Sequence, residues 1–178
     1  MLFCGERIRL RKMAMEDVPI YHEWRNDIEV MQYTSPSLDV YTYTDTENFV
    51  KNITGSHNSK GYIIEEISTG KPIGVTSLIN IDYRNRNAEC IIDIGEKNYW
   101  SKGFGREAFQ LLLEFAFKEL NLHKVFLRVF SYNERAIRLY QKLGFNEEGN
   151  LKEQLYRNGS WHGVVFMGLL KSNYMHHK

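Results

Sequence analysis

The segment that most restricts the fold of this chain is Ile91–Ala108, where a strand-like run leads through a loop into a long helical pattern. Two glycines, Gly103 and Gly105, stand where the helix begins. Glycine lets the backbone approach a ligand closely, and the first amides of a helix have no partner within the helix. With the helix dipole, these amides form an anion site suited to a pyrophosphate, flanked here by Lys102 and Arg106. An ordinary glycine-containing turn is the alternative.

A further alternative for these glycines is the fingerprint of dinucleotide-binding proteins, because Gly103–Ala108 fits the pattern G-x-G-x-x-A. That motif follows directly on a strand, and an acidic residue lies about 20 positions further on. Here eight residues separate Ile94 from Gly103, and the next strand ends at Arg128-Val-Phe-Ser131 without a carboxylate. Both departures argue against a dinucleotide site.

The second informative segment is Val129–Phe145, which begins as the end of a strand and continues as a helix. Asn133 is well placed to cap this helix, although its side chain could instead bond the amide groups of a ligand. Ala136, Ile137 and Tyr140 share one helical face. Tyr140 is therefore either a tyrosine at the edge of the core or a phenol that faces a site.

The pattern along the whole chain predicts an α/β fold of mixed α+β type. The predicted strands are Arg7–Lys12, Gly61–Ile67, Pro72–Ile81, Asn87–Ile94, Lys124–Phe130, Asn146–Arg157 and Trp161–Leu170. The predicted helices are one with Val18, Tyr21 and Trp24 on one face, one that starts near Thr44–Glu47 and runs through Val50 and Ile53, then Gly103–Leu120 and Asn133–Leu143. Gly144 is expected to end the last helix. This order of elements implies a mixed sheet with helices on both faces.

The composition indicates one soluble globular domain over residues 1–178, with 43% hydrophobic and 25% charged residues. The net charge of +1 gives no field that favours nucleic acid or a membrane surface. No apolar run approaches the roughly 20 residues of a membrane span, and Glu6 interrupts the N-terminus where a signal peptide would be apolar. Cys4 and Cys90 match no metal-ligand spacing and suit a reducing compartment. We therefore expect a cytoplasmic protein without a bound metal.

The two segments with site-like features resemble the GNAT superfamily of acetyltransferases. The pyrophosphate loop of that family, Q/R-x-x-G-x-G/A, corresponds to Trp100-Ser-Lys-Gly103-Phe-Gly105. The family element N-x-x-A-x-x-x-Y-x-x-x-G-F is present in full as Asn133, Ala136, Tyr140, Gly144 and Phe145. Trp100 departs from the general pattern, but it is similar to the branch that acetylates ribosomal proteins, as is Trp24-Arg-Asn-Asp27. The C-terminal part is also similar to bacterial spermidine acetyltransferases.

The resemblance implies a mostly antiparallel, twisted sheet of about seven strands with a V-shaped opening between the fourth and fifth strands. Acetyl-CoA would lie in this opening as the cosubstrate, and the chain would transfer its acetyl group to a primary amine by direct attack. The implied cofactor-binding residues are Ile92, Asp93, Ile94, Trp100, Ser101, Lys102, Gly103, Phe104, Gly105, Arg106, Asn133 and Ala136. Tyr140 would protonate the leaving thiolate as the general acid. Glu89 is a candidate base acting through water, with a surface or structural carboxylate as the alternative.

The acceptor stays open between a protein N-terminus, a polyamine and an amino sugar or other small amine. The spermidine enzymes carry an acidic, aromatic segment after the first helix, and Thr34-Ser-Pro-Ser-Leu-Asp39 replaces it here. Because a dication needs carboxylates, this difference weakens the polyamine interpretation. A non-catalytic acyl-CoA-binding sensor is the alternative to an enzyme, although Tyr140 argues against it. Edge strands and rings such as Tyr156 and Trp161 in the terminal hairpin favour a homodimer or higher homo-oligomer.

Overall fold

The computed structural model describes residues 2–176, and one seven-stranded sheet forms its centre. In chain order the strands are β1 (Ile8–Lys12), β2 (Lys60–Glu66), β3 (Pro72–Asp82), β4 (Asn87–Ile94), β5 (Lys124–Phe130), β6 (Asn146–Arg157) and β7 (Ser160–Leu170). Their spatial order is β1-β2-β3-β4-β5-β7-β6. Neighbouring strands are antiparallel except for the central parallel pair, β4 and β5. The structure confirms the predicted mixed α/β fold.

Helices cover both faces of this sheet. They are α1 (Val18–Asn26), α2 (Ile28–Met31), α3 (Tyr43–Gly55), α4 (Phe104–Glu114), α5 (Glu134–Lys142) and α6 (Lys171–His176). Helices α1 and α3 share a core with Ile63, whereas α4 and α5 pack into the core that contains Ile64. The two isoleucines are adjacent in β2, and successive strand residues point to opposite faces, so one strand serves both cores. None of the helices in the described part of the chain is long and apolar enough to span a membrane.

Helix boundaries differ from the predicted ones at two places. Helix α3 is capped by Thr42, two residues before the expected run, because the Thr42 hydroxyl accepts from the Asp45 amide (3.1 Å) while the Asp45 carboxylate accepts from the Thr42 amide (2.8 Å). The helix predicted to reach Leu120 is α-helical only to Glu114, and a π-helical turn follows at Phe115–Glu119. The sequence does not predict α2 or α6, because neither is long enough to show a helical period.

Turns at glycine connect the C-terminal elements as predicted. Gly144 follows α5 with φ of 94°, the left-handed conformation expected of a residue that ends a helix. Asn158 and Gly159, with φ of 51° and 76°, form the tight turn between β6 and β7. The rings of Tyr156 and Trp161 lie exposed near this turn, with their centroids 4.9 Å apart.

Strands β4 and β5 separate soon after they pair. Their parallel pairing covers only three residue pairs, which on β4 run from Asn87 to Glu89. Beyond that point β4 remains paired with β3 as far as Ile94, but no longer with β5. The Cys90 thiol donates to the Phe126 carbonyl (3.3 Å) where the strands part. The sheet therefore contains the predicted V-shaped opening between its fourth and fifth strands.

Candidate active site

The opening between β4 and β5 leads into two adjoining cavities. One, of about 410 Å³, extends from β4 to the loop before α4, and we call it the α4 cavity. The other, of about 290 Å³, extends to the bulged middle of β6, and we call it the β6 cavity. Both cavities share a group of lining residues at the point where they meet: Tyr33, Thr34, Ile92, Asn133 and Tyr140. A ligand in one cavity can therefore contact a ligand in the other at this junction.

The loop before α4 brings the start of that helix against β4. Ser101 and Gly103 adopt left-handed backbone conformations, with φ of 59° and 85°, so the chain turns sharply into the helix. The Trp100 indole N–H donates to the Ile94 carbonyl (2.8 Å) and holds the loop on the strand. Gly105 lies close to β4, since a Cβ atom added at this glycine would be 3.6 Å from Cγ1 of Ile94. This arrangement fits an anion site at the helix start.

Cationic side chains line the α4 cavity: Arg106, Arg135, Arg138 and Lys142. The last three lie on α5 and are absent from the predicted site, although their spacing of three and four residues places them on one helical face. The Arg135 guanidinium lies over the Trp100 ring, 4.8 Å from its centroid, and its Nη1 donates to the Ser101 hydroxyl (3.5 Å). These charges suit a ligand with several phosphate groups.

Most of the predicted cofactor-binding residues line the α4 cavity, but Lys102 and Phe104 do not. The carbonyl of Lys102 accepts from Arg7 Nη1 (2.9 Å), while the lysine itself is exposed. The Phe104 ring instead packs edge-on against Tyr99, with centroids 5.0 Å apart. The side chains of Lys102 and Phe104 therefore lie outside the cavity lining, and their predicted roles stay predictions.

Tyr140 and Asn133 occupy the junction of the two cavities. The Tyr140 ring packs against the Phe109 ring, with their centroids 5.4 Å apart. Within residues 2–176 the Tyr140 hydroxyl has no hydrogen-bond partner, and the residue lines both cavities. Burial, together with the nearby Cys90 and Asp93, raises the pKa of Tyr140. The Asn133 side chain accepts from the Ala136 amide (3.3 Å), so it caps α5 as predicted. A protonated phenol with a free hydroxyl therefore faces the opening.

Asp93 on β4 lines the α4 cavity with a buried carboxylate. Its Oδ1 atom has no hydrogen-bond partner among the described residues. Burial raises the pKa of Asp93 to about 6, although a hydrogen bond from Thr34 opposes the shift. The resemblance implies cofactor binding by this residue but says nothing of its side chain, so the burial of the carboxylate is a finding of the structure.

The β6 cavity contains one pair of opposite charges among its described lining residues, Glu89 and Arg128. Arg128 donates from Nε to one oxygen of Glu89 (2.7 Å) and from Nη2 to the other (3.3 Å). The Glu89 side chain is 6% exposed and that of Arg128 is 53% exposed. The remaining lining is mainly apolar, so the cavity has no net charge.

A clamp from the C-terminal half holds the loop that closes this region. Arg157 at the end of β6 is buried, and it donates to the carbonyls of Gln32 (Nη1, 2.8 Å) and Ser35 (Nη2, 2.8 Å). The Tyr132 hydroxyl also donates to the Gln32 carbonyl. These contacts fix the segment that carries Tyr33 and Thr34 into both cavities. The sequence contains no signal for the clamp, because its partners lie more than 90 residues apart.

Comparison with known proteins gives consistent matches over nearly the whole chain. The family profile "Acetyltransferase (GNAT) domain" matches residues 7–146. "Uncharacterized N-acetyltransferase p20" of Bacillus licheniformis is 34% identical over 95% of this chain and 96% of that protein. Spermidine N(1)-acetyltransferase of Vibrio cholerae serotype O1 is 30% identical over 96% of this chain and 97% of that protein. The crystal structure of spermidine N-acetyltransferase from Vibrio cholerae with CoA and spermine has a TM-score of 0.89 at 30% identity, covering 96% of this chain and 99% of that chain.

The fold, the opening and these matches define the class of protein: this is an N-acetyltransferase that uses acetyl-CoA as its cosubstrate. The chain belongs to the GNAT acetyltransferase family. The predicted resemblance and the predicted enzyme class are both confirmed. Within residues 2–176, no group of three or more His, Cys, Asp or Glu side chains is arranged to hold a metal ion.

Proposed function

We propose that this enzyme transfers the acetyl group to a primary amine by direct attack, with Tyr140 as the general acid. The observation that carries this proposal is the position of Tyr140, which lines both cavities at their junction. The α4 cavity has the anion-binding helix start and the cationic lining that suit acetyl-CoA. The β6 cavity is then left for the acceptor, and the reacting atoms meet beside the phenol.

Different residues around the α4 cavity bind different parts of acetyl-CoA. The backbone of Ile92–Ile94, which lacks a strand on its β5 side, pairs with the pantetheine arm as an added strand would. The amides of Trp100–Arg106 hold the pyrophosphate, with Arg135 and its neighbours on α5 contributing charge. Asn133 and Ala136, at the start of α5, contact the thioester end of the pantetheine.

The reaction begins when the neutral amine attacks the thioester carbonyl carbon. Negative charge develops on the carbonyl oxygen, and a backbone N–H of β4 at the opening stabilises it. The carbon–sulfur bond then breaks, and Tyr140 gives its proton to the sulfur. Burial raises the pKa of Tyr140, so the phenol is protonated at neutral pH and has a proton to give to the sulfur. Solvent then returns a proton to the phenolate.

The proton of the attacking amine leaves through water. Glu89 was the candidate base, but both of its carboxylate oxygens already accept hydrogen bonds from Arg128. This ion pair supports the structural alternative for Glu89. Much of the rate enhancement then comes from holding the amine and the thioester together in a favourable geometry.

Replacing Tyr140 by phenylalanine tests the proposal. We expect turnover to fall about 10²- to 10⁴-fold, the usual contribution of a general acid, while acetyl-CoA still binds. CoA release with a panel of amines measures turnover, and calorimetric titration with acetyl-CoA measures binding. Phe109→Leu, which alters packing beside Tyr140 without removing a hydroxyl, is the control. Equal turnover by wild type and Tyr140→Phe would rule out the phenol as the acid.

A further inference from the structure

We propose that the acceptor is a primary amine that also carries an anionic group, a carboxylate or a phosphate, and that Arg128 binds this group. The inference rests on the proposed function, since it assigns the acceptor of the same site. It departs from those relatives that are named spermidine N(1)-acetyltransferases.

The charges of the β6 cavity do not suit a polycation. Glu89 is the single carboxylate among the described lining residues, and Arg128 neutralises it. A polyamine that entered this cavity would lose the hydration of its ammonium groups without gaining carboxylate partners, which is strongly unfavourable. An acceptor with balanced charges avoids this penalty.

Arg128 lines the β6 cavity and has one guanidinium nitrogen that no described residue binds. Its Nε and Nη2 atoms are bound to Glu89, whereas Nη1 has no hydrogen-bond partner within residues 2–176. Arg128 is a lining residue of the β6 cavity and its side chain is about half exposed, so the guanidinium is accessible to a ligand. A guanidinium is the side chain best matched to carboxylate and phosphate oxygens. The buried Glu89 fixes the guanidinium in place, which lowers the cost of ordering it around a ligand.

The pair also explains how such an acceptor is oriented. Glu89 and Arg128 present a carboxylate and a guanidinium side by side on β4 and β5, next to the separation of these strands. Because Glu89 is already paired with Arg128, the anionic group of the acceptor is the part that this pair can bind. With the anion on Arg128, the amine lies on the side of the cavity that meets the α4 cavity at Tyr140.

Matched acceptors test this inference through the kcat/KM for CoA release. The pairs are glucosamine 6-phosphate against glucosamine, and alanine against alaninamide, with spermidine as the polycation. We expect the anionic member of at least one pair to be preferred about 10- to 100-fold, as a charge-assisted hydrogen bond allows. The first pair reports a phosphate and the second a carboxylate.

Variants of the ion pair separate recognition from structure. Arg128→Met is expected to raise the KM for the preferred anionic acceptor and to bring the preference within each pair close to one, with a smaller effect on kcat. The double variant Glu89→Gln/Arg128→Met leaves no unpaired charge, so it gives the same readout if the single variant folds poorly. Arg84→Met, at an exposed position in the turn after β3, is the matched control and should keep the preference.

The outcomes distinguish this inference from the proposed function. Turnover of spermidine or of the neutral amines at equal or higher kcat/KM would overturn the inference and leave the proposed function intact. A preference for the anionic acceptor that survives in both Arg128 variants would overturn the role of Arg128. Binding of acetyl-CoA with no turnover of any of these amines would overturn the proposed function, and this inference with it.

Discussion

Asp93 carries an electrostatic cost that its neighbours only partly relieve. One carboxylate oxygen is buried without a hydrogen-bond partner in residues 2–176, and the hydrogen bond from Thr34 does not fully offset the burial. A charge in such a position destabilises the fold, because water no longer solvates it. Cavities that bind substrates are common places for such a cost.

The stability of the protein should therefore depend on pH through Asp93. Its folded-state pKa of about 6 lies above the usual value of 3.8, so the penalty is complete above about pH 6 and disappears as the pH falls toward 4. We expect Asp93→Asn to increase the free energy of unfolding at pH 7.5 by about 1–3 kcal/mol, and by much less at pH 4.5. Urea unfolding of the ligand-free protein at both pH values measures this. Asp39→Asn, at an exposed position, is the control, and an equal gain at both pH values would contradict the explanation.

The sequence predicts a site residue well when its signal is local. The spacing around Gly103 and the position of Asn133 before Tyr140 lie within short segments, and the structure brings these residues to one opening. The burial of Asp93 and the contacts of Arg157 depend instead on segments far apart in the chain. Those properties arise only when the sheet assembles, so no local pattern contains them.

Among the helices and strands, α5 contributes to the candidate site in several ways. Its N-terminus is capped by Asn133, one face carries Tyr140 to the junction, and a second face adds cations to the α4 cavity. The sequence predicts the helix, its cap and its final glycine, because these follow from periodicity and turn chemistry. It does not identify the cationic face, because charged residues at helical spacing usually mark only a solvent-exposed surface.

Charge on α5 should set the affinity for the cosubstrate. We expect Arg135→Gln to raise the KM for acetyl-CoA roughly tenfold, the loss of one charge-assisted hydrogen bond, with little change in kcat. The effect should shrink as salt is added, since salt screens exposed charges. Initial rates at low and high ionic strength measure both effects, and Arg84→Gln serves as the control. A tenfold rise in the KM that is the same at low and high ionic strength would indicate that the variant loses packing against Trp100 instead.

At the scale of the whole molecule, the opening divides the sheet into two parts joined by three residue pairs of β4 and β5. The clamp formed by Arg157 and Tyr132 makes a second connection, from the C-terminal part to the loop after α2. A mixed sheet with helices on both faces follows from the order of elements in the sequence. This cross-connection does not, because it depends on how the two parts face each other.

Loss of the clamp should weaken both the fold and acceptor binding. Arg157→Gln removes a buried guanidinium that serves two carbonyls, so we expect the free energy of unfolding to fall by about 2 kcal/mol. The KM for the acceptor should rise more than the KM for acetyl-CoA, because the loop also carries Pro36, which lines the β6 cavity but not the α4 cavity. Urea unfolding and initial rates measure the two effects, with Arg84→Gln as the control. Unchanged unfolding would show that the loop is held by other contacts.

The V-shaped opening leaves the sheet one strand short along part of β4 and β5. In the proposed function a bound cosubstrate takes the place of that strand, so the free energy of its binding adds to the stability of the protein. At a hundred times its dissociation constant, such a ligand adds about 2.7 kcal/mol. The fraction of these molecules that is unfolded and open to proteolysis therefore falls when the cell is rich in acetyl-CoA.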